Sequence, residues 1–137
     1  METIPVLILC VVFVLHWFAD FVLQTDWMAL NKSKQWPPLL THTFVYTFVV
    51  YVGLVGLELV SRLLGFKAGM MNYDSNLFNP AYFFAFTLAA HTLTDYVTSR
   101  ITSKLWKDGK RHWFFVVIGA DQMLHMFALI YALRWLY

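Results

Sequence analysis

Three times in this chain a histidine stands four residues from an aspartate, inside a stretch that otherwise reads as lipid-buried helix. The pairs are His16 with Asp20, His91 with Asp95, and Asp121 with His125. On an α-helix, four residues advance the chain by about 400° and roughly 6 Å, so each pair shares one face, one turn apart. A carboxylate at the bilayer centre costs about 2.5–3.5 kcal/mol. Three left unpaired would cost roughly 8–10 kcal/mol, comparable to the whole stability of an ordinary domain. Such a chain must fold so that these groups meet compensating partners. Imidazole with carboxylate is also a ligand set for a metal ion, so the pattern predicts a metal site embedded among helices.

The rest of the composition fits that setting. Of 137 residues, 60% are hydrophobic and 13% charged, with a mean hydropathy of +0.59. Soluble domains carry about 25% charged residues, so a soluble fold is disfavoured. Four stretches are long enough to cross about 30 Å of hydrocarbon. They run over residues 4–24, 39–64, 79–104 and 113–137, the second opened by Pro37-Pro38 and the third by Asn79-Pro80. The expected fold is all-α, a four-transmembrane-helix bundle forming one integral membrane domain over residues 1–137. The first segment has no basic residue before its apolar core and reads as retained, not as a signal peptide. Trp27, Trp36, Trp106, Trp113 and Trp135 stand near span ends as an aromatic belt. The single cysteine, Cys10, excludes an internal disulfide and reads as a packing residue.

Charge sets the expected orientation. The first and third loops carry Lys32, Lys34, Arg100, Lys104, Lys107, Lys110 and Arg111, whereas the other side has Arg62, Lys67 and Arg134. Seven against three places those loops in the cytoplasm and both termini outside it, with a bacterial inner membrane as the expected location. The lysines after Thr98 read as head-group contacts, and the 65–78 segment as an exposed connector. A net charge of +2, scattered between apolar segments, gives no nucleic-acid footprint. Membrane lipids are the expected partners, and Gly53, Gly56 and Gly119 would suit close helix approach or a homodimer.

Depth along each span decides whether the polar groups can meet. Asp20 lies near the cytoplasmic end of span one, His42 near the start of span two, and Asp121 and His125 eight and twelve residues past Trp113 at the start of span four. His91 and Asp95 lie on the cytoplasmic side of span three. All four helices thus bring polar groups to overlapping depths. The expected metal ligands are His16, Asp20, His91, Asp95, Asp121 and His125, with His42 as ligand or base and Asp121 as a second catalytic candidate. Gln24, Thr98 and Gln122 are placed to orient ligands or bind a substrate oxygen. His112, beside Lys110 and Arg111, reads as a solvated loop residue.

The set His16-Trp-Phe-Ala-Asp20-Phe21-Val-Leu23-Gln24, then Lys32 or Lys34, His42, His91-x-x-x-Asp95 and Asp121-Gln122-x-x-His125 resembles one family. It is that of small bacterial and phage integral membrane proteins labelled DUF3307, a domain of unknown function. The family pattern favours a lysine soon after the second HxxxD, where this chain has Thr98 and Arg100. A looser similarity links the chain to membrane-bound metal-dependent hydrolases, in which His and Asp from several helices bind zinc.

The expected activity is that of a metal-dependent hydrolase using one or two Zn²⁺ ions on a lipid or membrane-tethered ester or amide. A proton- or metal-conducting protein is the alternative, since His and Asp chains also build ion paths. A third possibility is a partner-binding protein whose core is locked by metal.

Overall fold

The computed structural model describes residues 6–65 and 79–136. The expected 65–78 connector therefore lies outside the described residues, apart from Gly65, as do the first residues of span one and Tyr137. The described chain is all-helical. Helix α1 (Val6–Trp17) runs into a π-helical turn at Phe18–Val22, and a short α2 (Asp26–Asn31) follows. Two 28-residue helices, α3 (Trp36–Leu63) and α4 (Pro80–Lys107), precede α5 (Arg111–Ala132) and a closing 3₁₀ turn at Leu133–Trp135.

Local chemistry accounts for the boundaries. The Asn79 side chain accepts the Tyr82 N–H at 3.2 Å ahead of Pro80, and Pro37-Pro38 fill the first turn of α3, where a missing N–H costs nothing. Gly109, at φ 71°, turns the chain between α4 and α5. Thr25 caps α2. This helix is absent from the sequence expectation, being only six residues long within a polar loop.

Helix α4 packs against both α3 and α5, while α1 lies against α3 and closes on α5. The buried side chains of α1 fall at Ile8, Val12, His16 and Asp20, and those of α4 at Phe83, Thr87, His91 and Asp95. Each stripe repeats every four residues and changes from apolar to polar along its length. One half of the bundle is therefore an apolar core containing Ile8, Val12, Val50, Leu54, Phe83 and Leu129. The other half is polar.

Among the described residues, only α3 and the Arg111–Trp135 segment are long and apolar enough to meet a membrane-span criterion, not four helices as expected. The physical reason is plain in α4. Its inward stripe carries Thr87, His91, Asp95 and Thr98, which lower its mean hydropathy, while Leu93, Val97 and Ile101 face outward. The apolar Val6–Val22 segment is short for the same test. Cys10 is exposed and unpaired, contrary to its expected packing role. Among the described glycines, only Gly53 lies against another helix, where a Cβ would meet Leu15 at 2.6 Å; Gly56 and Gly119 have nothing within 4 Å.

Candidate metal centre

Four helices deliver the cluster. At its middle, His42 Nε2 lies 3.1 Å from Asp20 Oδ1, 3.2 Å from Asp95 Oδ2 and 3.2 Å from His91 Nε2. His91 Nε2 lies 3.4 Å from Asp20 Oδ1, and His125 Nε2 lies 3.8 Å from Asp95 Oδ1. On its own helix, His125 Nδ1 lies 3.5 Å from Asp121 Oδ2. Three overlapping groups result: Asp20, His42 and His91; His91, Asp95 and His125; Asp20, Asp121 and His125. Within each, the donor atoms lie within 4.8 Å of one another.

The π turn contributes to this geometry. Leu23 N donates to Phe18 O, an i→i+5 bond that widens the turn holding Asp20. Asp20 is aimed at His42 and His91, whereas its i−4 neighbour His16 bonds elsewhere. The two other His–Asp pairs, on regular α-helix, retain their contacts across one turn at 3.8 and 3.5 Å.

His16 thus stands apart from the ligand role expected of it. Its Nε2 meets Gln122 Oε1 at 2.9 Å and its Nδ1 meets the Tyr46 hydroxyl at 2.8 Å. A carbonyl oxygen only accepts, so Nε2 carries the proton, and Nδ1 accepts from Tyr46. Both nitrogens are consumed, leaving none for a metal. Gln122 in turn donates to Asp20 Oδ2 at 2.8 Å and Asp121 Oδ2 at 3.0 Å. Tyr46, His16 and Gln122 form a directional chain that holds two carboxylates in place.

Of the other expected residues, Thr98 donates to Asp121 Oδ1, and Gln24 lines the adjoining cavity. His42, expected as ligand or base, has its Nε2 at the heart of the donor set. His112 is exposed against Trp113. Tyr46 lies outside the expected site, and Lys32 enters the sequence reading only as a loop charge and as one of two alternative lysines in the family motif. Lys32, at the end of α2, sets its ammonium 2.8 Å from Asp95 Oδ2. Tyr46 bonds His16 and stacks its ring on His91 at 3.8 Å, with His125 stacked on His91 at 4.0 Å. The spacing His42-x-x-x-Tyr46 was the available signal for Tyr46.

The donor chemistry fits a cation. Both ring nitrogens of His125 are buried without a hydrogen-bond partner among the described residues, although acceptors crowd around them. Charge points the same way. Asp20, Asp95 and Asp121 face the one ammonium of Lys32, so with neutral histidines the cluster carries −2. One divalent ion neutralises it. Beside the cluster opens a cavity of about 480 Å³, bounded by Asp20, Asp95, Asp121, Lys32 and residues of α4 and α5.

The model of one protein family matches residues 8–137. The chain belongs to that family, described as Protein of unknown function (DUF3307). No curated protein and no solved structure matches it. The match bears out the family resemblance drawn from the His and Asp motifs, and it does not extend to membrane-bound hydrolases.

Proposed function

We propose that this chain is a four-span membrane protein whose His/Asp cluster holds one or two zinc ions and hydrolyses a lipid or membrane-tethered substrate. The observation that carries the reading is the convergence of six imidazole and carboxylate side chains from four helices in three overlapping groups of donors beside a cavity. Outward-facing Phe13, Phe44, Phe48, Leu93, Phe115 and Phe127 are each at least half exposed, on all four long helices, as lipid contact requires. The seventeen residues of Val6–Val22 reach the lower end of the length a span needs. The distribution of Lys and Arg supports a cytoplasmic mouth for the cavity.

Six donors exceed the three protein ligands of a typical one-zinc catalytic site and suit either one ion or a pair. Zinc bound there would supply Lewis acidity and a water with a pKa of about 7. The protein supplies position and proton handling. Asp121, at 13% side-chain exposure against 4% for Asp20 and 2% for Asp95, is the carboxylate best placed to take a proton from water in the cavity. Lys32 offsets charge on Asp95, and the stack of Tyr46, His91 and His125 fixes ring orientation.

Elemental analysis of detergent-purified protein tests the reading, with at least one zinc per chain expected and loss of it in His91→Ala. Protein that contains no metal, takes up none and is equally folded after chelation would overturn it.

A further inference from the structure

The cavity beside the cluster has a chemistry of its own. On α4 it is walled by Thr98, Ser99, Thr102 and Ser103, and Lys32, Lys34 and Lys107 also line it. Phe21, Leu30, Trp106, Phe114 and Ile118 form apolar wall. Two buried polar atoms of these lining residues have no hydrogen-bond partner among the described residues: Ser99 Oγ and Gln24 Oε1. The Ser99 hydroxyl is a buried donor without an acceptor among them.

Resting on the metal reading above, we propose that this cavity receives the phosphate group of a phosphate ester. Charge selects that class over a neutral carboxylic ester or amide. The acids lining the cavity are Asp20, Asp95 and Asp121. Against them stand Lys32, Lys34 and Lys107, so the lining sums to zero before any metal. One divalent ion makes it +2, and two make it +4. A phosphate monoester carries about −1.5 to −2 and three acceptor oxygens. Those oxygens match Lys34, Lys107 and the free Ser99 hydroxyl, whereas a neutral ester would leave two ammonium groups and that hydroxyl without an anion. The apolar wall accommodates the organic part of the ester. Hydrolysis would break the bond between phosphorus and the leaving oxygen. Water oxygen joins phosphorus, and a water proton ends on the departing alcohol.

Two sources carry this chemistry: a phospholipid with a terminal phosphate, or a soluble phosphate compound. Calorimetric titration of zinc-loaded full-length protein in detergent, with inorganic phosphate and separately with short-chain phosphatidic acid, distinguishes them. Zinc content is measured on each sample. Binding of at least one probe is expected. The double variant Lys34→Ala/Lys107→Ala should weaken it about tenfold or more, and Ser99→Ala to a lesser degree, with zinc content unchanged. Phosphatidic acid binding alone identifies the lipid source; binding of both identifies the phosphate group as sufficient. Zinc-loaded protein that binds neither probe, or binds them equally well in all variants, overturns the phosphate proposal and leaves the metal reading intact. Protein that takes up no zinc removes both.

Discussion

Replacing Lys32 by methionine tests whether lysine and the proposed metal share the charge of this cluster. The Lys32 ammonium lies 2.8 Å from Asp95 Oδ2, with side-chain exposures of 16% and 2%. At an effective dielectric of about 20, that pair is worth about 6 kcal/mol of Coulomb attraction before desolvation is deducted. Breaking one side of a buried pair costs about 3–5 kcal/mol, because the remaining charge is uncompensated. Lys32 is the partly exposed member of the pair and borders the cavity, which holds the cost at about 3 kcal/mol. Metal-free protein should therefore melt roughly 10 °C lower. Zinc reverses part of this. With metal bound, the Lys32→Met cluster falls from 0 to −1; without it, from −2 to −3. The loss is smaller in the loaded state, and by the thermodynamic cycle the difference appears as tighter metal binding. A difference of about 1.4 kcal/mol would lower the zinc Kd tenfold. The assay pairs thermal melts of chelated and loaded protein with competition against a fluorescent zinc chelator, and Lys32→Arg is the charge-preserving control. An unchanged melting temperature in the metal-free state, or a weaker zinc Kd in Lys32→Met, would refute the claim that lysine and metal share the neutralisation of Asp95.

Other expectations follow from single contacts. His16→Phe should keep its zinc stoichiometry while His125→Ala loses it, since His16 has no free nitrogen and both His125 nitrogens lack partners; metal analysis of the two variants decides this. Thr87→Val should weaken zinc binding by up to about tenfold, with Thr87→Ser near wild type. Thr87, His91 and His125, whose Oγ1, Nδ1 and ring nitrogens lack hydrogen-bond partners among the described residues, line a void of about 10 Å³, close to the size of one water. Gly53→Ala should change stability by less than about 1 kcal/mol, as read by thermal melting, because its Cβ meets the end of the Leu15 side chain, which can turn aside, while alanine favours the helix. Gly119→Ala meets nothing within 4 Å and should be neutral or stabilising by up to about 1 kcal/mol.

The helices were legible because their signals are local. Apolar runs, the Pro37-Pro38 start and the Asn79-Pro80 cap put the long boundaries within a few residues of their observed positions. The meeting of Asp20, His42, His91, Asp95, Asp121 and His125 was also legible, since depth along a helix converts directly into height in a bundle. What escaped depends on tertiary demands. Nothing in Phe18-Ala-Asp-Phe-Val announces a π turn, so the spacing makes His16 and Asp20 one ligand pair, whereas the wide turn directs Asp20 toward His42 and leaves His16 to Tyr46, the two sharing only Gln122. By its charge Lys32 reads as a loop cation, and the family motif leaves it level with Lys34, because the helix that returns it to Asp95 is too short to show periodicity. The low overall hydropathy of α4 has the opposite origin: the polar stripe that makes the site also hides the apolar outer face.

The one-sided build of the bundle bears on what the cluster can do. Along α1 the buried stripe passes from Asp20 and His16 to Val12 and Ile8; along α4 it passes from Asp95 and His91 through Thr87 to Phe83. Leu54, Leu129 and Leu133 close the same level from α3 and the last span, each at most 1% exposed. An ion moving on from the cluster would enter this plug, where it would lose every ligand and regain no water, at a cost of several kcal/mol. The large cavity, by contrast, abuts the cluster from the Lys32 side. Groups arranged to bind a cation firmly, with access from one side and an apolar wall behind, suit chemistry on a molecule that enters and leaves by the same mouth. Conduction requires the wall to open. Proteoliposomes should therefore pass neither protons nor zinc, and a flux abolished by Asp95→Asn would show that the apolar half is not the barrier its packing implies.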